Sequence, residues 1–170
     1  AATVLVMDHS GSMNGCASCK SWSYGDYYYH AEGCKYDKQG QNVKVEYLQS
    51  RMAAATEAVK SFIKTYSGRF NEKDIETTTE NLNLGRWVCL VWFNKTGGVV
   101  GNHGWLDVSN KDAYDKAINT DGWKAEEGTN LDCGLKLADD WLQQDTVKKI
   151  SKSSKNVVVL TDGKPTYYLG

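Results

Sequence analysis

The chain has 170 residues, of which 41% are hydrophobic, and this is enough to bury the core of one globular domain. Its 20 Lys and Arg residues nearly balance its 21 Asp and Glu residues, so the formal net charge is −1. This balance argues against a nucleic-acid-binding protein, which needs a basic surface to neutralise phosphates. No apolar run reaches the ~18 residues that cross a bilayer, so the sequence predicts no membrane span.

The first half of the chain predicts two strands separated by a long helix. Residues 3–7 and 86–93 are short apolar runs, and the first is typical of a strand buried on both faces of a parallel sheet. Between them, apolar side chains recur at threes and fours over residues 47–66. This spacing predicts an amphipathic helix that ends at Gly68.

The second half of the chain predicts a short edge strand, two helices and a third buried strand. These elements are expected at residues 97–101, 109–119, 131–143 and 156–161. Ser109, with Asp112 three residues later, resembles an N-terminal cap pair for the first of the two helices. Because strands alternate with helices, the sequence predicts an α/β fold with a mostly parallel sheet.

Acidic residues follow two of the predicted buried strands. Asp8 ends the first strand and Asp162 follows the last, so both lie at one rim of the sheet if these strands are parallel neighbours. Two carboxylates that close repel each other unless a cation lies between them. Ser10, Ser12 and Thr129 supply neutral oxygens nearby in the predicted loops, and such hard oxygen ligands favour Mg²⁺, Mn²⁺ or Ca²⁺ over zinc.

Three segments carry a family resemblance. "DHSGSM", "GTNLDCGL" and "LTDGKPT" occur in this order and resemble the three loops of the metal-ion-dependent adhesion site of von Willebrand factor A (vWA) domains. The resemblance covers the chain from its first strand to its end. It implies a Rossmann-like, doubly wound α/β fold with helices on both faces of a central, mostly parallel sheet.

The resemblance also implies a role for each candidate ligand of the metal ion. Asp8, Ser10 and Ser12 would form the first loop, Thr129 the second and Asp162 the third, leaving one coordination position for an acidic group of a partner. The simpler alternative is a polar turn after the strand that caps a helix. His9 lies between the ligands in sequence, and its side chain is expected to point away from the ion.

A narrower resemblance concerns the segment "LTDGKPTYY", which is most like the A domains of Gram-positive surface proteins and pilus-tip adhesins. It implies an extracellular, cell-surface location, either cell-wall-anchored or at a pilus tip. The implied ligand is a host protein or glycan with an acidic group. Family members usually carry two more strand–helix units after the third loop. We therefore expect residues 1–170 to be one vWA domain that is incomplete at its C-terminus, or one whose sheet another chain or domain completes.

A Cys- and Tyr-rich insertion is predicted at about residues 14–42. It leaves the first metal loop directly, so its aromatic side chains could contact a partner or could pack the insertion onto the domain. The candidate partner-binding residues are Trp22, Tyr24, Tyr27, Tyr28 and Tyr29. Tyrosine offers a large contact area and a hydroxyl group at low entropic cost, as in antibody loops.

The cysteines leave three interpretations open. Cys16, Cys19, His30 and Cys34 could form a four-ligand zinc site, Cys34 could form a disulfide with Cys16 or Cys19 that closes the insertion, or the thiols could be free. Cys89 and Cys133 are expected to be structural thiols, although a bridge between them is also possible.

The sequence is compatible with three functions. The first is a binding module that presents a divalent ion to an acidic group of a partner and performs no catalysis. The second is a hydrolase that uses the same ion to activate water. The third is an intracellular vWA domain in a metal-dependent assembly such as a chelatase or chaperone complex, in which the cysteines are reduced or bind zinc.

Overall fold

The computed structural model describes residues 1–14, 50–68, 85–126 and 128–163, and within these ranges the chain forms an α/β fold. Its strands are β1 (Ala2–Asp8), β2 (Trp87–Phe93), β3 (Gly97–Val99), β4 (Trp105–Asp107) and β5 (Lys155–Leu160). Its helices are α1 (Arg51–Tyr66), α2 (Lys111–Ile118), α3 (Leu131–Leu142) and α4 (Asp145–Lys148). Short 3₁₀ turns cover Gly11–Asn14, Val100–Asn102 and Lys152–Ser154.

The sheet is mostly parallel, as predicted. Its strand order is β3-β2-β1-β5, with β1 parallel to both β2 and β5. The register pairs Asp8 with Phe93 and Met7 with Leu160, so the carboxyl ends of the three parallel strands lie at one rim. β3 and β4 both run antiparallel to β2.

The core consists of two apolar layers, one on each face of the sheet. Leu5 and Met7 of β1 pack in the layer that contains α1 and α2, whereas Val4 and Val6 pack in the layer that contains α3. All seven residues of β1 are buried, which explains its unbroken apolar sequence. The predicted helices on both faces are therefore confirmed.

Helix α1 begins later than the periodicity predicts. Ser50 has an extended backbone, and its hydroxyl oxygen accepts a hydrogen bond of 3.0 Å from the backbone N–H of Ala53. A capping side chain of this kind fixes the start of a helix, so α1 starts at Arg51 rather than at residue 47. The predicted apolar face is confirmed where it is described, with Met52, Ala55, Val59 and Ile63 buried.

The antiparallel edge differs from the predicted strand at residues 97–101. The strand stops at Val99 because Val100–Asn102 forms a tight turn, with Gly101 at a φ of 60°. β4 was not predicted, since three residues are too few to show alternation. The predicted Ser109 cap is also wrong: Asn110 occupies the cap position of α2, and the Ser109 hydroxyl donates to Asp107.

Strand β5 is less buried than predicted. Val157 is 41% exposed and Val159 is 37% exposed, so the prediction of a strand buried on both faces is wrong. Their register partners in β1 are Val4 and Val6, and α3 packs on β1 and β2 rather than on β5. Among the described residues, no helix is long and apolar enough to cross a membrane.

Candidate metal centre

The first and third predicted loops meet at the rim of the sheet. β1 and β5 are parallel neighbours, so Asp8 at the end of β1 lies close to the segment that follows β5. That segment contains Thr161 and Asp162, and both are linked by hydrogen bonds to the first loop. The expectation that these two strands bring the carboxylates to one rim is confirmed.

Asp8 organises the first loop from a fully buried position. Its Oδ1 accepts a hydrogen bond of 2.8 Å from the backbone N–H of Ser10, which holds the loop in a tight turn. Its Oδ2 accepts a hydrogen bond of 2.7 Å from the hydroxyl of Thr161, which ties the first loop to the third. Thr161 was missed in the sequence, although it immediately precedes the predicted ligand Asp162.

Two serine hydroxyls and a carboxylate form a short row of oxygens beside Asp8. The Oγ atoms of Ser10 and Ser12 are 3.1 Å apart, and the Ser12 hydroxyl donates to Asp162 Oδ1 over 2.9 Å. Adjacent ligands in an octahedral Mg²⁺ shell lie about 3.0 Å apart, because each oxygen is about 2.1 Å from the ion. The donor types and their spacing therefore fit a small divalent cation.

The candidate centre depends on hydroxyls as much as on carboxylates. Across the described ranges, no three His, Cys, Asp or Glu side chains cluster closely enough to hold a metal ion. The rim instead combines two carboxylates, Asp8 and Asp162, with neutral oxygens. Such a set suits hard cations and does not suit zinc.

The second predicted loop runs alongside the first. Ser10 and Glu126 form an isolated parallel bridge, and the Glu126 N–H donates to the carbonyl of His9 over 2.7 Å. Thr129 follows three residues later and is buried, at 6% exposure. Asn130 then caps α3, its side-chain oxygen accepting from the N–H of Cys133. The segment that carries Thr129 is thus held between the first loop and the start of α3.

Arg51 is a further member of this centre that the sequence did not indicate. Its guanidinium donates to Asp162 Oδ2 over 2.8 Å and to the carbonyl of Ser12 over 3.4 Å. Both side chains of the ion pair are mostly buried, at 17% and 12% exposure. A cation in the first turn of a helix opposes the helix dipole. The ion pair with Asp162 offsets this unfavourable position of Arg51.

His9 turns away from the row of oxygens. Its ring is stacked with Trp92, with centroids 6.0 Å apart, and tilted against Trp123 at 5.3 Å. Burial lowers the pKa of His9 to about 4, so the imidazole is neutral at physiological pH.

The two cysteines outside the insertion are separate free thiols. Cys89 is buried within β2, and burial raises its pKa to about 12. Cys133 is partly exposed, and burial also raises its pKa. Both thiols are protonated at neutral pH, which agrees with the predicted structural role, and the structure contains no bridge between them.

The predictions for the insertion concern residues outside the described part of the chain. Of the predicted insertion at residues 14–42, only residue 14 is described. The candidate partner-binding aromatic residues and the candidate zinc or disulfide residues all lie outside the described ranges. The residues concerned are Cys16, Cys19, Trp22, Tyr24, Tyr27, Tyr28, Tyr29, His30 and Cys34.

Solved structures with the same fold come from bacterial pili. A mutant of the PilB minor pilin from Streptococcus sanguinis is 21% identical with a TM-score of 0.56, over 95% of this chain and 29% of that one. The vWF domain of the type V pili tip protein Mfa5 from Porphyromonas gingivalis is 18% identical with a TM-score of 0.54, over 98% of this chain and 38% of that one. This chain thus spans well under half the length of either protein.

Comparison with curated protein sequences gives no significant match. The profile of the von Willebrand factor type A domain, in contrast, matches residues 3–164. The matched range extends from within β1 to beyond β5, and it includes the five predicted ligands Asp8, Ser10, Ser12, Thr129 and Asp162. The chain therefore belongs to the von Willebrand factor type A domain family.

Proposed function

We propose that this vWA domain is an adhesion module that binds a divalent cation, Mg²⁺ first, with Mn²⁺ or Ca²⁺ as alternatives, and captures an acidic group of a partner through it. Asp8, Ser10, Ser12, Thr129 and Asp162 would hold the ion, directly or through water. The observation that carries the proposal is the row of oxygens from Ser10 through Ser12 to Asp162, with spacings of 3.1 Å and 2.9 Å.

The charges at the rim support capture of an anion. Asp8 and Asp162 contribute two negative charges, and Arg51, which pairs with Asp162, contributes one positive charge. A divalent ion would leave this centre with a net positive charge, because its hydroxyl ligands are neutral. Such an ion attracts an external carboxylate to complete its coordination.

The location is proposed from the similarity to pilus proteins. The similar structures are a pilin and a pilus tip protein, and one of them includes three N-terminal domains of Mfa5. We infer a cell-surface role within a larger pilus protein, with a host protein or glycan as the ligand.

A hydrolase is the weaker proposal. It requires a base or acid that can reach a metal-bound water. The His9 ring is packed against two tryptophans, and Glu126 is paired with Lys124 at 3.1 Å. Neither side chain is therefore well placed to serve as that group.

The proposed adhesion is tested with the chain immobilised on beads and offered a panel of extracellular-matrix proteins and sialylated glycans. Binding should disappear in EDTA and return with MgCl₂. Ser12→Ala removes one neutral ligand without changing charge and should abolish the Mg²⁺-dependent part, whereas Ser153→Ala, in an exposed turn, should not. Binding that is indifferent to both EDTA and Ser12→Ala would contradict the proposal.

Replacing Arg51 should change the affinities for the ion and for the acidic partner in opposite directions. Arg51→Gln removes a positive charge next to the ion, so Mg²⁺ should bind more tightly, on the order of tenfold. An acidic partner should bind more weakly, because the same change makes the centre less positive. Isothermal titration with MgCl₂ and the bead assay measure the two effects separately.

Lys64→Gln is the matched control for Arg51→Gln. Lys64 lies in the last turn of the same helix, about 20 Å from Arg51 at 1.5 Å per residue, so neither affinity should change. A loss of Mg²⁺ affinity in Arg51→Gln would show that Arg51 mainly orients Asp162 and would refute the charge argument.

A further inference from the structure

A cavity lies beside the candidate metal centre but contains none of its proposed ligands. It has a volume of about 320 Å³ and lies between His9, the end of β2, the turn at Val100–Asn102 and residues 119–126. His9 joins the two sites, because it follows Asp8 in the chain while its ring lines the cavity. The cavity therefore opens at the same rim as the metal centre.

Aromatic rings form much of the cavity lining. His9 is stacked with Trp92, with an interplanar angle of 12°, and Trp123 is inclined to His9 by 50°. The His9 ring is covered by the two tryptophans, whereas Trp92 and Trp123 are half-buried and leave part of their apolar surface open to a small ligand. Pockets that combine such surfaces with a few polar groups are typical sites for small ligands.

Two buried nitrogen atoms in these rings lack hydrogen-bond partners within the described part of the chain. They are Nε2 of His9, a residue only 6% exposed, and Nε1 of Trp123. An unpaired buried polar atom costs about 1–3 kcal/mol. Both belong to residues that line the cavity, and a bound group reaches either nitrogen only when its ring rotates toward the cavity. A hydroxyl suits this pair, since it can accept from the Trp123 N–H and donate to an imidazole nitrogen.

The charges around the cavity are mixed, with one more acidic than basic side chain. Asp121 and Glu126 are acidic, but Lys124 also lines the cavity and pairs with Glu126 at 3.1 Å. Asn94 and Asn119 add amide groups, which can bond both donors and acceptors. The lining thus combines flat aromatic surfaces with neutral and mixed-charge polar groups.

We propose that this cavity binds one neutral pyranose unit of a glycan, independently of the metal ion. The apolar face of a sugar ring would cover the aromatic surfaces, and its hydroxyls would satisfy the Trp123 and His9 nitrogens and the surrounding amides. A glycan held here would place its neighbouring groups close to the metal centre. The subsite therefore adds a metal-independent contact to the proposed capture of an acidic group.

The test is a tryptophan-fluorescence titration of the whole chain in EDTA, so that metal-dependent capture is removed. The probes are the methyl glycosides of glucose, galactose, mannose, fucose, N-acetylglucosamine and N-acetylgalactosamine, with tetramethylammonium chloride as the cation probe. At least one glycoside should bind saturably, with a dissociation constant of about 1–10 mM, equivalent to a few kcal/mol. Tetramethylammonium should not bind.

Variants connect that signal to the cavity. Trp123→Phe keeps a ring but removes the N–H, and should weaken glycoside binding about tenfold. Trp105→Phe is the matched control, because the Trp105 N–H donates to the carbonyl of Trp141 outside the cavity. Asp121→Ala changes an exposed lining residue, and should weaken binding without affecting the fold.

Three results would overturn the proposal. The first is that no glycoside binds saturably, and the second is that tetramethylammonium binds instead. The third is that neither Trp123→Phe nor Asp121→Ala changes the affinity for the glycosides. Because the titration is made in EDTA, failure here leaves the metal-dependent proposal standing. Failure of the Mg²⁺ experiments likewise leaves this one standing.

Discussion

Asp162→Asn should reduce the affinity for Mg²⁺ by about a hundredfold or more. The substitution keeps the size of the side chain and an oxygen that can accept from Ser12, but it removes the negative charge. Removing a residue that only hydrogen-bonds to a metal ligand already lowers the metal affinity by about 10–100-fold. Isothermal titration of the EDTA-treated, dialysed protein with MgCl₂ measures the change.

Thermal unfolding gives a second reading of the same effect. An ion that binds only the folded state, at a hundred times its dissociation constant, adds about 2.7 kcal/mol to the free energy of unfolding. For a domain of this length, that raises Tm by about 5–10 °C. The unsubstituted chain should show this increase with MgCl₂, and Asp162→Asn should show little of it.

Asp140→Asn is the control for Asp162→Asn. Asp140 is also an acid in an ion pair, with Lys136 at 2.6 Å, but the pair is exposed and lies in the last turns of α3. Its replacement should leave both the Mg²⁺ affinity and the increase in Tm unchanged. If Asp162→Asn bound Mg²⁺ as tightly as the unsubstituted chain, the third loop would have no part in the site.

The rim was predictable because it depends on strand order and local spacing. Uninterrupted apolar runs identified β1 and β5 as strands, and an acidic residue at or just after the end of each indicated a shared rim. In parallel strands, neighbouring carboxyl ends meet whatever the details of packing. Asp8 and Asp162 could therefore be paired although they are far apart in sequence.

The features that were missed depend on tertiary contacts between short segments. Arg51 contacts Asp162 because of where α1 packs. The three residues of β4 form a strand because they pair with the edge of β2. The exposure of Val157 and Val159 depends on where α3 lies. The pairing of the His9 and Trp123 rings depends on the loop that follows α2. None of these contacts leaves a periodic signal in the sequence.

Gly134→Ala should destabilise the fold, although the same change in most helices stabilises it. Alanine is normally favoured over glycine inside a helix by about 1 kcal/mol. Here a Cβ atom would lie 2.7 Å from Cδ1 of Phe93 and 2.8 Å from Cγ1 of Val6, both of which are fully buried. Overpacking of a core typically costs about 1–3 kcal/mol. We expect a net loss of up to about 2 kcal/mol in the free energy of unfolding, measured by urea denaturation.

The cause can be isolated by a double-mutant cycle with Val6→Ala, which removes one of the two opposing atoms. The paired variant should lose about 1 kcal/mol less than the sum of its single variants, because the smaller residue makes room for the new methyl group. Val59→Ala is the control partner: it deletes an equally buried side chain in the other layer of the core, and its cost should simply add.

The steric clash in Gly134→Ala should also affect the candidate metal centre. Helix α3 is capped by Asn130, whose N–H bonds to the carbonyl of Asn94, and Thr129 precedes that cap. If α3 moves away from β1 and β2 to admit a methyl group, the second loop moves with it while the first and third loops stay in place. Gly134→Ala should therefore weaken Mg²⁺ binding by a few-fold, and Val6→Ala should restore part of it. Stability lost without any change in Mg²⁺ affinity would contradict this coupling between α3 and the candidate metal centre.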